Sequence, residues 1–89
     1  MIFLDLFKEV VELLTKMSIN NEKTITVRKI RKKLKLPGNQ KISREIKIIL
    51  QWLFRNNYLT KINKKTYNKY QIIDNFSERK NNLEIFYKD

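Results

Sequence analysis

The feature that most constrains this chain is a change of hydrophobic period near residue 56. Before it, apolar side chains recur every three to four positions in three separate segments. After it, short runs rich in Tyr, Ile and Thr alternate with polar residues. Period 3.6 marks helices and period 2 marks strands, so the chain is expected to be mainly α with a small β-hairpin at the end. At 89 residues there is room for one core and little more.

Residues 2–18 read as the first helix, with Phe3, Phe7, Val10, Leu14 and Met17 at helical spacing and Leu6 and Leu13 beside them. Asp5, Lys8, Glu9, Glu12 and Lys16 fall opposite, Glu12 and Lys16 as a favourable i,i+4 pair. Ile2, Leu4 and Val11 widen the apolar arc to roughly 200°, against the ~100° of an ordinary surface helix. Two readings follow: a core helix covered on two sides by its own chain, or a dimer interface. A polar connection over 18–23 leads to Thr24, Ile25 and Thr26, suited to a brief strand. Thr26 can N-cap a second helix, whose inner face is Val27, Ile30 and Leu34 and whose other faces carry Arg28, Lys29, Lys32 and Lys33. Leu36, Pro37 and Gly38 are expected to end it.

A third helix is predicted from Asn39 or Gln40 to about Asn56, with Ile42, Ile46, Ile49, Leu50 and Leu53 as core stripe. Gln40, Arg44, Lys47, Gln51 and Arg55 project from the far side, with Lys41 and Ser43 at its margins. Ile48 and Trp52 lie off the stripe and are expected to meet the first helix or the C-terminal tail. Strands follow at 58–62, with Tyr58, Thr60 and Ile62 on one face, and at 70–73, with Tyr70 and Ile72 together. The link over 63–69 is polar and holds Asn63, Lys64, Lys65 and Lys69. Residues 1–73 are read as the domain and 74–89 as a C-terminal extension for packing or dimerisation. That extension is either a short helix capped by Ser77, with Leu83, Phe86 and Tyr87 on one side, or extended. Trp52, Tyr58, Tyr67 and Tyr70 are read as packing residues.

Charge narrows the function. The net charge is +11, and fifteen of the twenty Lys and Arg lie between residues 23 and 73, where Glu45 is the only acid. Both flanks are slightly acidic. Such a block repels itself and exceeds what solubility needs, so a polyanion partner is expected.

The order helix, short strand, helix, turn, helix, hairpin resembles the winged helix-turn-helix family of DNA-binding domains over residues 2–73. The resemblance rests on Thr24-Ile25-Thr26-Val27-Arg28-Lys29-Ile30 entering the second helix and Lys41-Ile42-Ser43-Arg44-Glu45-Ile46 opening the third. It rests also on Asn56-Asn57-Tyr58-Leu59 turning into the wing, where relatives often have Gly at the position of Asn57. It implies an α-β-α-α-β-β fold whose third helix enters the major groove of double-stranded DNA while the wing meets adjacent backbone or minor groove. Gln40, Lys41, Ser43, Arg44, Lys47 and Gln51 would then be the recognition-helix site, Arg44 reading guanine and Gln40 adenine. Arg28, Lys29 and Lys32 would hold phosphates from the second helix, and Asn63, Lys64, Lys65 and Lys69 would serve from the wing.

The expected role is a transcriptional regulator, with a homodimer formed through the first helix and the C-terminal segment and half-sites ~34 Å apart. The alternatives are a non-specific architectural, partition or replication DNA-binding protein, and a winged helix used for protein contacts. Enzyme chemistry is not expected. The chain has no His and no Cys, a single glycine and therefore no Gly-rich phosphate loop. No cofactor, metal or small-molecule substrate is implied. The apolar start has no basic n-region, and no run reaches the ~18 residues of a membrane span. A soluble, unprocessed, cytoplasmic and nucleoid-associated protein is expected.

Overall fold

Helical spacing becomes helix wherever the expected stripes fall. The computed structural model describes residues 3–62 and 69–87. Its elements run α1 (Phe3–Ile19), β1 (Thr24–Ile25), α2 (Val27–Lys33), α3 (Gln40–Arg55), β2 (Leu59–Ile62), β3 (Lys69–Ile72) and α4 (Phe76–Arg79), then single 3₁₀ turns at Lys80–Asn82 and Glu84–Phe86. The protein is thus mainly helical with a small antiparallel sheet of three strands, ordered β1-β3-β2. β1 joins the far edge of β3, Ile25 opposite Tyr70, and the Ile72 N–H donates to the Lys23 carbonyl at 2.7 Å. The brief strand therefore has its backbone groups paired, which lets Ile25 be buried.

Local chemistry sets the helix boundaries. The Thr26 hydroxyl accepts from the Lys29 N–H at 3.1 Å, and the Asn39 carboxamide oxygen accepts from the Ile42 N–H at 2.8 Å. Each satisfies a first-turn donor that has no partner inside its helix. All three long helices end on a residue in the left-handed region: Asn21 at φ 62°, Lys35 at 56° and Asn57 at 66°. After each, two N–H groups fold back on the last turn, as in Lys35 to the Lys32 carbonyl at 3.1 Å and Leu36 to the Arg31 carbonyl at 3.0 Å. α2 therefore stops at Lys33, before the Leu36, Pro37 and Gly38 expected to end it. Gly38 has no positive φ; a lysine holds the left-handed position instead.

The core accounts for most of the apolar arc of α1. Leu6, Phe7, Val10, Val11, Leu14 and Met17 are all buried, against Ile30 of α2, Ile46, Ile49, Leu50 and Leu53 of α3, and the sheet. α1 buries its apolar face from Leu6 to Met17, while Phe3 and Leu4 at its first turn and Ile19 at its last stay exposed. Removing one such side chain, for example Leu50→Ala, costs about 2–5 kcal/mol.

The strand faces differ from expectation by one residue. Register sets Leu59 opposite Ile72 and Lys61 opposite Tyr70, so Leu59, and not Thr60 or Ile62, shares the buried face with Tyr70 and Ile72. The left-handed Asn57 turns the chain so that Tyr58 is buried before the strand begins. Its ring stacks on Trp52 at 6.3 Å and 12°.

The C-terminal segment completes the same core. Phe76 and Leu83 are buried, and the rings of Phe86 and Tyr87 meet Phe7 at 6.3 and 6.1 Å. α4 starts at Phe76 with Asn75 at its N-cap, so Ser77 lies inside it and caps nothing. Trp52 meets Phe7 at 5.7 Å and Phe86 at 5.5 Å, both edge-on, each pair contributing about 0.5–1.5 kcal/mol. The expected contact of Trp52 with helix and tail is present. Arg79 adds a latch: its guanidinium lies 4.5 Å over the Tyr58 ring and donates to the Asn57 carbonyl at 2.7 Å. A cation there suits the negative end of α3.

Candidate nucleic-acid interface

The outward side of α3 is built by the same periodicity that buries its inner side. Ile46, Ile49, Leu50 and Leu53 anchor the helix in the core, so Gln40, Arg44, Lys47 and Gln51, spaced four, three and four apart, form one outward row. At 1.5 Å per residue that row is about 16 Å long. Gln40, Arg44 and Lys47 are exposed and Gln51 half-buried; Lys41 on one margin is exposed and Ser43 on the other half-buried. None of these six side chains has a hydrogen-bond or ion-pair partner among the described residues. Glu45, the only acid of residues 23–73, lies off this row. It is half-buried, and its Oε2 has no partner among the described residues. Exposed cations and amides with no acid among them form a surface suited to phosphates and base edges.

α2 divides its cations in two. Arg28 and Lys32 are exposed and unpaired among the described residues. Lys29, expected among the phosphate contacts, is instead half-buried: its ammonium donates to the Thr24 carbonyl at 3.0 Å and lies 3.6 Å from Glu22. Lys33 shares Glu22 at 3.4 Å. These two lysines tie α2 to the loop after α1.

Two further cations lie at the turn between α2 and α3 and escaped the sequence reading. Arg31 lies where a Cβ on Gly38 would meet its Nη1 at 3.0 Å, so the lone glycine leaves room for a guanidinium beside the turn between α2 and α3. Lys35 is exposed in that turn. The dense run 31–35 signalled the charge, but only the fold places Arg31 beside Gly38 and Lys35 in the turn that ends α2.

On the sheet side, Lys61 reaches over the Phe54 ring at 5.9 Å, and Phe54 packs on Tyr70 at 5.9 Å. Burial pushes the Tyr70 phenol above its usual range, and Arg55 draws it partly back. Lys69 is half-buried on β3 opposite Ile62. Asn63, Lys64 and Lys65 lie outside the described residues.

The acids gather elsewhere. Asp5, Glu9 and Glu12 are on α1 and Glu78 on α4, and α1 and α4 pack together. Lys23 meets Asp74 at 2.6 Å, and this hydrogen bond and charge hold the Asp74 carboxyl below its usual range. Among the described residues no three acids, His or Cys come together as a metal site. No helix there is long and apolar enough to cross a membrane. No family model, curated protein or solved structure matches the chain.

Proposed function

We propose that this protein is a winged helix-turn-helix domain that binds double-stranded DNA, with α3 in the major groove and α2 on the flanking phosphates, in the role of a transcriptional regulator. The observation that carries the reading is the outward row of α3: Gln40, Lys41, Arg44 and Lys47 are exposed and, among the described residues, have no hydrogen-bond or ion-pair partner. The element order helix, strand, helix, helix and antiparallel strand pair supports it. Arg44 has the fork geometry for guanine and Gln40 the amide for adenine. Arg28 and Lys32 position the domain without reading sequence. Arg31 and Lys35 join them beside the turn.

The test is fluorescence anisotropy with a labelled duplex across a salt series. About five neutralised phosphates (Arg28, Lys32, Lys41, Arg44, Lys47) predict a log–log salt slope near −4.5, or roughly 500-fold weaker binding at 200 than at 50 mM salt. No binding at low salt, or a slope shallower than about −1, refutes the reading. Selection from a random duplex library then separates a regulator from a non-specific architectural protein, since only the former enriches a motif.

A further inference from the structure

One aliphatic side chain of α3 stands among the polar ones of its outward face. Ile48 is 48% exposed, while Ile46, Ile49, Leu50 and Leu53 fill the core. At about 100° per residue it points about 40° from Arg44, one turn before, and about 60° from Gln51, one turn after. Lys41 and Arg55, seven residues to either side, are exposed cations, and Glu45, three residues before it, is half-buried. Ile48 also forms one wall of an apolar groove shared with Phe3 and Leu4, and about half of its surface stays open. We propose that Ile48 reads the 5-methyl group of a thymine, on a pair one or two steps from the base that Arg44 contacts. This role rests on α3 lying in the major groove and adds a specificity-determining side chain to that reading.

The chemistry of the major groove gives an aliphatic side chain one target. Every base edge there presents polar donors or acceptors, and thymine alone adds a methyl group. Against a G·C pair, Ile48 would strip water from polar edges and return no hydrogen bond, which costs free energy. Against thymine it buries one methyl, a gain of about fourfold in affinity. The reach fits as well. Four residues separate Arg44 from Ile48, about 6 Å along the helix, and base pairs stack about 3.4 Å apart. A β-branched side chain in a helix is held near one rotamer, so Ile48 has little freedom to lose on binding.

A lone exposed aliphatic residue is ordinary on a protein surface. The setting separates Ile48 from Ile19 and Ile85, which are 68% and 77% exposed but lie in the last turn of α1 and the C-terminal turn. Lys41, Arg44 and Arg55 have no ion-pair partner among the described residues. They share the outward side of α3 with Ile48, so a polyanion that they attract is brought against it.

The test uses a duplex selected from the random library. Each thymine of the selected motif is replaced singly by deoxyuridine, which lacks only the 5-methyl group, and binding is followed by fluorescence anisotropy. At one position the wild type is expected to lose about fourfold, and Ile48→Ala less than about 1.5-fold. Cytosine at that position is expected to weaken wild-type binding further, and 5-methylcytosine to recover about fourfold of the loss. Ile48→Val keeps the β-branch; it is expected to show a methyl effect between those two and covers the case in which Ile48→Ala unfolds. Absence of duplex binding at low salt removes the DNA reading and this role together. Binding with no enriched thymine, or with methyl effects equal in wild type and Ile48→Ala, overturns the role of Ile48 alone.

Discussion

Lys35→Gly is expected to make this protein more stable while removing one of its cations. Lys35 sits at φ 56°, where an L side chain crowds its own backbone at about 1–2 kcal/mol. Glycine has no Cβ and escapes that cost, but it gains more conformational freedom in the unfolded chain, which offsets about 0.5–1 kcal/mol. The backbone hydrogen bonds that close the α2 end, Lys35 to Lys32 and Leu36 to Arg31, survive the substitution. The net expectation is a gain of about 0.5–1 kcal/mol, or ~2–8 °C in melting temperature for a domain of this size. Charge relief alone must be separated from relief of strain. Lys35→Ala removes the same charge and keeps the Cβ, so it is expected to gain less than about 0.3 kcal/mol. The assay is thermal and urea unfolding of both variants beside the wild type at two salt concentrations. Equal gains from Gly and Ala, or a loss from Gly, would refute the argument that strain at Lys35 matters.

Three further outcomes are expected. Arg44→Ala should relax sequence preference, whereas Lys32→Ala should weaken all duplexes alike and flatten the salt slope by about one unit; equal effects of the two defeat the division of labour. Leu83→Ala, at a buried C-terminal position, should cost about 2–5 kcal/mol in urea unfolding, while Leu4→Ala should cost less than about 1. A small effect at Leu83 contradicts the packing of residues 74–87 into the core. Tyr70, whose phenol burial holds above its usual range, ionises first in the unfolded chain, so stability should fall as pH rises through and beyond the ordinary tyrosine range near 10. Tyr70→Phe should reduce that alkaline loss, read by unfolding at high pH with tyrosinate absorbance alongside; an unchanged loss removes Tyr70 as its source.

Much of the fold was legible because period and caps act locally. The α3 stripe, the Thr26 cap and the left-handed Asn57 each follow from a few neighbouring residues and appear in the structure. The end of α2 was misread because Gly38 is the conventional stop signal, yet the backbone turns three residues earlier on Lys35. The strand faces were displaced because the turn at Asn57 buries Tyr58 before pairing begins, and alternation alone cannot place the first paired residue. Nor could spacing in α2 show that Lys29 turns back to Thr24 and Glu22 while Lys32 has no partner among the described residues.

What the sequence by itself determined was the order of elements, the amphipathic stripes and a cationic middle between acidic flanks, since these depend on residue type and spacing. Tertiary structure alone decided the rest. It set β1 on the far edge of β3, buried the face of α1 from Leu6 to Met17, drew Phe7 and Phe86 around Trp52 and opened the groove between Leu4 and Ile48. The physical reason is that pairing and burial join residues far apart in the chain. A helix stripe states which face is apolar, and only packing states how much of that face the rest of the chain can reach.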